Sequence, residues 1–549
     1  MRRTSLRRAS SGLARLTALF ALVGAGAVAC NSNSLGGSET VVDMAVPFSG
    51  PYSDLPAAPI GAGGVQTAMA GELASAFAQA PAGDSGGPCM TEPTMGALFP
   101  MNFTPPLFEW TAVGGQNLFE LRLHLSNQTN DLVVYTDQTS FTLPDEMWQG
   151  LTQHSADLDI QVTLRGAQVS GGKVISSVLP GTSGTIHIAP VPALGSIVYW
   201  WIVPATQATG LKGFRIGDKT VRDVMSPGSI TTAGKTTVCL GCHTSSPDGT
   251  LAFFTRSDPR WAVDARLVNG SSGAPSAGQI SANAMANLSR TTQTFTLLSP
   301  AHYSASDAVL LTLSPNGSGG RWEINWTDLH ATTGGTGILP RTGDSNGAAA
   351  PAWSRDGNTV VYSSSSNIID GRLDTGNSDL WAVPYNNHNG GAAQPLPGVN
   401  STMTNQYYPT FSPGDTFLSY NRVPRGQQMY DAAPAEIWIA PGKGGTPTRL
   451  AANDPPACTG KKSPGLTNSW ARWSPSARTA NGRHYYWVVF SSKRRAAGNP
   501  QLYLGAVVTK DGPAGEELDK DYPAIYIPTQ TPNQNNHTPA WDEFQIPLG

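Results

Sequence analysis

From residue 99 onward, apolar and polar positions alternate in short runs parted by turn residues. Examples are Phe108-Glu109-Trp110, Leu118-Phe119-Glu120-Leu121, Leu132-Val133-Val134-Tyr135 and Ile160-Gln161-Val162-Thr163-Leu164. A period of two over such short runs predicts half-buried strands, and their spacing predicts two packed sheets over residues 89–190. Later runs carry an aromatic residue near the centre, as in Asp379-Leu380-Trp381-Ala382-Val383, Glu436-Ile437-Trp438-Ile439-Ala440 and Gln501-Leu502-Tyr503-Leu504. Residues 31–88 are rich in Ala, Gly, Ser and Pro and show no sustained period apart from a short helical pattern around residues 65–77. They read as a flexible tether.

The aromatic strands belong to an internal repeat. Its other half is a turn between two strands: Ser246-Pro247-Asp248-Gly249, Ser354-Arg355-Asp356-Gly357, Ser412-Pro413-Gly414-Asp415 and Ser474-Pro475-Ser476. Pro presets the first corner, and Asp and Gly suit the next two positions. The turns are separated by one or two units of roughly 55 residues, the length of a four-stranded propeller blade with a long loop. A degenerate turn near Ser304 fills the missing unit. The closing stretch Asn536-His537-Thr538-Pro539-Ala540-Trp541 matches the first strand of each repeat, but its blade is unfinished. Ile197-Val198-Tyr199-Trp200-Trp201-Ile202 and Gly213-Phe214-Arg215-Ile216 can supply the missing strands and close a ring.

These turns and strands resemble the TolB-type propeller, a distant relative of WD40 blades, over residues 195–549. The preceding strands resemble a fibronectin type III module. Together they imply an all-β chain with a small β-sandwich over residues 89–190 and a roughly six-bladed β-propeller over 191–549.

Composition supports a turn-rich β protein: 549 residues hold 60 Gly and 43 Pro, with only 13% charged residues. The net charge of −3 and the lack of basic clusters leave no electrostatic footprint for nucleic acid. The amino terminus carries Arg2, Arg3, Arg7, Arg8 and Arg15 before an apolar run at residues 16–29, too short to span a bilayer. Residues 1–30 therefore read as a signal peptide. Ala27-Val28-Ala29-Cys30 resembles the bacterial lipobox, which implies an acylated Cys30 and attachment to a membrane of the bacterial cell envelope, at the periplasmic or outer-membrane face. Cleavage after Ala29 with a free Cys30 is the alternative.

Cys239-Leu240-Gly241-Cys242-His243 has the C-x-x-C-H form of c-type haem attachment, in which two thioethers hold the macrocycle and the histidine ligates the iron. One covalent haem c is expected, with His243 as proximal ligand. A small disulfide loop, a zinc site and a thioredoxin-like redox pair are rival uses of the two cysteines. Cys89 and Cys458 are then left to pair in an oxidising compartment. A C-x-x-C-H beside a propeller turn is similar to uncharacterised bacterial haem propellers, and more distantly to the haem-bearing propeller of the hydrazine synthase α subunit. That enzyme's chemistry needs several haems, and this chain has a single motif.

Aligning the repeats on Ser245, Trp353, Phe411, Trp473 and Trp541 brings Gly241, Ala349, Tyr407, Ser469 and His537 to one position, expected to ring a mouth of the channel. His537 and Tyr407 are accordingly the candidates for the distal side of the iron, with His537 a second ligand. Met403 and Met225 are further candidates. No H-E-x-x-H or phosphate-cradling loop competes with this site. The expected function is single-electron transfer with a redox partner in the envelope. The alternatives are a haem enzyme acting on peroxide or a small nitrogen species, and a non-catalytic interaction propeller.

Overall fold

The computed structural model describes residues 50–546 apart from 172, 233–234, 238, 258–260, 270–271, 291, 317, 496–497 and 514. The signal peptide and Cys30 lie outside the described residues. Alternation sets the amino-terminal sheets as expected. In Asp159–Ala167, Ile160, Val162 and Leu164 are buried while Asp159, Gln161 and Thr163 are exposed, so one face enters a core and the other meets solvent. A six-stranded sheet runs in the order Ile60–Ala62, Leu132–Thr136, Leu118–His124, Asp159–Ala167, Leu179–Ile188, Leu98–Phe99. It shares its core with a three-stranded sheet of Cys89–Glu92, Leu107–Thr111 and Ser140–Thr142, where Trp110 meets Phe119 edge-on at 5.5 Å.

The tether expected at residues 31–88 needs correction over residues 60–79, while residues 31–49 lie outside the described residues. Ile60–Ala62 pairs in parallel with Leu132–Thr136, and the helix Thr67–Gln79 packs Ala70, Leu73 and Phe77 against Leu118, Val133 and Tyr135. A three-residue strand is too short to show a period, and an Ala-rich helix looks like linker until its apolar residues find a sheet to cover.

Six further sheets form the propeller blades. The first joins the chain end to the start of the domain: Asn535–Asp542 pairs with Ser196–Ile202, Ile197 opposite Trp541 and Trp200 opposite His537, followed by Thr209–Arg215 and Arg222–Met225. The innermost strands of the other five are Leu240–Ser245, Thr294–Leu297, Gly347–Trp353, Thr404–Phe411 and Ser469–Trp473. The repeated turns hold their shape by side-chain bonds. The hydroxyls of Ser246, Ser354 and Ser412 accept from the backbone N–H of Leu251, Thr359 and Phe417 at 2.9–3.0 Å. Gly249 and Gly357 sit at φ +74° and +75°, which suits a residue without Cβ. Asp415 instead reaches the neighbouring turn, accepting from the N–H groups of Arg355 and Asp356 at 2.8 and 2.9 Å.

Sandwich and propeller share one apolar core, in which Phe99, Phe103 and Phe108 belong with Tyr199, Phe214, Trp487 and Leu504. Cys89 and Cys458 form a disulfide across the junction, with Cα atoms 5.6 Å apart. Beside it, Glu92 is buried and accepts from the Tyr526 N–H at 3.3 Å. Burial raises its pKa to about 7, against the pull of Arg494 and Arg495. Between about pH 4.5 and 7 the folded chain therefore holds a proton that the unfolded chain has released, so stability falls as pH rises through that window and levels off above it. We expect the effect to be on the order of 1–3 kcal/mol, with Glu92→Gln flattening the profile. Thermal unfolding midpoints from pH 4.5 to 8 check this; parallel profiles for the two proteins would refute it.

Candidate functional site

The innermost strand of every blade breaks register against its neighbour. At each break stands a left-handed residue that is not glycine: Cys242 (φ 30°), Phe295 (58°), Ala350 (41°), Tyr408 (53°), Trp470 (54°) and Thr538 (47°). Such a conformation costs about 1–2 kcal/mol per residue, so a ring of six is a substantial strain carried by the surrounding sheets. All six residues line one cavity on the propeller axis, which encloses about 1190 Å³ including space open to solvent.

The bulge also places the C-x-x-C-H motif. Cys239, Cys242 and His243 all line this cavity, on and just before the strand Leu240–Ser245. Both thiols are free and partly buried. Burial pushes both thiols up, and at Cys242 the Arg472 and Arg372 guanidiniums oppose it. His243 Nε2 lies 2.9 Å from the Val198 carbonyl oxygen. A carbonyl only accepts, so Nε2 carries the proton and the bare lone pair is on Nδ1, which is buried without a hydrogen-bond partner. Burial lowers the His243 pKa to about 4, and the imidazole is neutral at physiological pH.

His537 lines the same cavity and is 9% exposed. Its ring sits edge-on to Trp200 at 4.6 Å and tilted against Trp470 at 5.1 Å. Its Nδ1 also lacks a partner, and burial lowers its pKa to about 3. Two neutral imidazoles and two thiols thus share one aromatic chamber, whose walls include Trp200, Phe295, Tyr408, Tyr430 and Trp470. This donor set fits a c-type haem: two sulfurs for thioethers, one or two nitrogen ligands and apolar faces for a flat macrocycle. Among the described residues no group of three or more His, Cys, Asp or Glu is placed to hold a metal ion, so no four-ligand zinc set gathers at the cysteines.

Tyr407 needs correction. It is fully buried between blades with Ala349 and Val423, and its neighbour Tyr408 faces the cavity instead. The bulge causes this: one extra residue in the strand exchanges the faces that consecutive side chains occupy. Of the six residues preceding the bulge, Gly241, Thr294 and His537 reach the cavity. Met225 is buried in the first blade's core beside Val198 and Leu240, and Met403 is 76% exposed on a loop, so neither lines the site. The sequence reading missed Trp200, Phe295, Tyr408, Trp470, Arg372 and Arg472. Cys242, Tyr408 and Trp470 each stand three residues before an aligned Ser245, Phe411 or Trp473, and that shared offset was the signal available.

A second cavity of about 940 Å³ lies next to the first, lined by Thr244, Arg355, Asp542 and Glu543 among others. His243, Thr296, Pro351, Pro409 and Arg472 line both, so the motif histidine stands at the waist between the two chambers.

Three solved structures can be set beside this fold. A protein described as a TolB from Agrobacterium tumefaciens is 12% identical, with a TM-score of 0.31, covering 63% of this chain and 98% of that one. A prolyl endopeptidase is 13% identical, with a TM-score of 0.31, covering 60% of this chain and 47% of its own. Prolyl oligopeptidase B from Galerina marginata is 9% identical, with a TM-score of 0.27, covering 61% and 51%. At these scores the propeller architecture rests on the six sheets of the molecule itself. No family model matches the chain, and no curated protein matches it. Among the described residues no helix is long and apolar enough to cross a membrane.

Proposed function

We propose that this chain is a c-type haem protein of the bacterial cell envelope that transfers single electrons, held to a membrane through Cys30. The observation that carries the reading is that Cys239, Cys242, His243 and His537 line one strained, aromatic-walled cavity on the propeller axis. A bound haem supplies a one-electron iron couple. The protein's part is to hold and shield it. Cys239 and Cys242 would anchor the macrocycle as thioethers, while His243 and His537, both neutral, each keep a lone pair free for a metal. The envelope location and lipid anchor are carried by the sequence alone.

The spin state of the iron tests the electron-transfer reading. Two imidazole ligands give low-spin, six-coordinate iron, which rearranges little on reduction and holds off other ligands. Wild type is expected to show a low-spin electron paramagnetic resonance signal. His537→Ala is expected to convert it to high spin and admit added cyanide. A wild type that is already high-spin favours a haem enzyme acting on peroxide or a small nitrogen species. A low-spin signal unchanged by the substitution removes His537 from the site.

A further inference from the structure

Two cations face the large cavity, Arg372 and Arg472. Arg472 comes from the innermost strand Ser469–Trp473 and stands at the waist, lining both chambers. Among the described residues its one hydrogen bond runs from Nη1 to the Ala471 carbonyl at 3.0 Å. Arg372 enters from a loop strand of the fourth blade, with its guanidinium 5.5 Å from the centre of the Tyr430 ring. Neither forms a salt bridge with a described residue. Asp370 is the one carboxylate among the residues lining this chamber; Asp542, which attracts Arg472, lines the neighbouring one. Arg472 is half-buried and Arg372 exposed, so a ligand that brings an anion recovers part of the desolvation cost of Arg472 and gives Arg372 a partner. The remaining walls are largely aromatic and apolar, and the other polar side chains, among them Thr255, Thr294, Thr296 and Thr538, carry no charge.

We infer that Arg372 and Arg472 are carboxylate-binding residues, and that the cavity takes a flat apolar ligand bearing two carboxylates. On the haem reading, on which this inference rests, those carboxylates are the propionates. The planar fork of each guanidinium matches a carboxylate with two parallel N–H···O bonds. Both arginines line the cavity that Cys239 and Cys242 also line. They would then do two things: orient the macrocycle before its bonds to sulfur form, and raise the reduction potential, since a nearby cation favours the form that has gained an electron.

The test uses full-length protein made in a host that matures c-type cytochromes, comparing wild type with Arg372→Gln, Arg472→Gln, the double variant and the corresponding lysine variants. Covalent haem is read on a denaturing gel and the midpoint potential by redox titration at low ionic strength. Each glutamine variant is expected to keep its haem stain and to shift the reduction equilibrium about tenfold toward the oxidised form, equal to about 59 mV for one electron. The lysine variants, which keep the charge but lose the bidentate fork, should shift by less than the glutamine variants. Loss of haem loading in the glutamine variants with retention in the lysine variants would also support the inference. A double glutamine variant that carries haem at an unchanged potential overturns it and leaves the haem reading standing. Lysine variants whose potential shifts as far as that of the glutamine variants overturn it too, because the cation is still there. An unstained wild type removes the haem reading and this inference with it.

Discussion

Replacing both Cys239 and Cys242 with Ala is expected to abolish covalent haem entirely, and either replacement alone to weaken the stain. These thiols are the free cysteines among the described residues, and both face the cavity that holds the two lone-pair-bearing imidazoles. Cys89 and Cys458 are consumed in the disulfide at the sandwich junction, so serine at either position should leave the stain intact. The contrast separates thioether attachment from a general effect of losing a cysteine. The gel must be denaturing, because a haem held only by His243 and the cavity walls would survive native conditions and escape on unfolding. Wild type that does not stain would leave a non-catalytic propeller with an aromatic-walled chamber at its axis as the better account of the molecule.

The second large effect concerns stability. Removing the Cys89–Cys458 disulfide with paired serines is expected to cost about 2–5 kcal/mol, toward the upper end because the loop it closes is long. The bridge spans a sequence separation of 369 residues and ties the sandwich strand Cys89–Glu92 to the turn Ala457–Thr459 of the propeller. Its contribution adds to a junction already built from a continuous core around Phe99, Tyr199 and Trp487. The variant should therefore unfold at lower denaturant while still unfolding in one transition. Two separated transitions would show that the bridge, and not the shared core, couples the domains. A midpoint equal to wild type would show that it constrains neither state.

Much of the fold was legible because its signals are local. The Ser-Pro-Asp-Gly turns depend on a hydroxyl, a preset φ and a residue without Cβ, all encoded within four positions. Ring closure could be read because Asn536–Trp541 carries the same pattern as the other inner strands, and it pairs with Ile197–Ile202 as that pattern demands. The motif at Cys239, Cys242 and His243 is likewise a matter of spacing, and so was the place of His537 four residues before Trp541. What failed was facing. Tyr407 was assigned to the channel by counting residues, and the bulge at Tyr408 turned it into the blade packing.

Element type and the number of repeats are legible along the chain, since period and turn composition are properties of neighbouring residues. Only the tertiary structure decided that residues 60–79 join the sandwich, that Cys242, Phe295, Ala350, Tyr408, Trp470 and Thr538 form one strained ring, and that Arg372 and Arg472 meet at it. No glycine marks those six positions, so nothing in the chain announces a left-handed residue there. The conformation is imposed where six inner strands converge on one axis, and each adds one residue to its strand to bring a side chain inward.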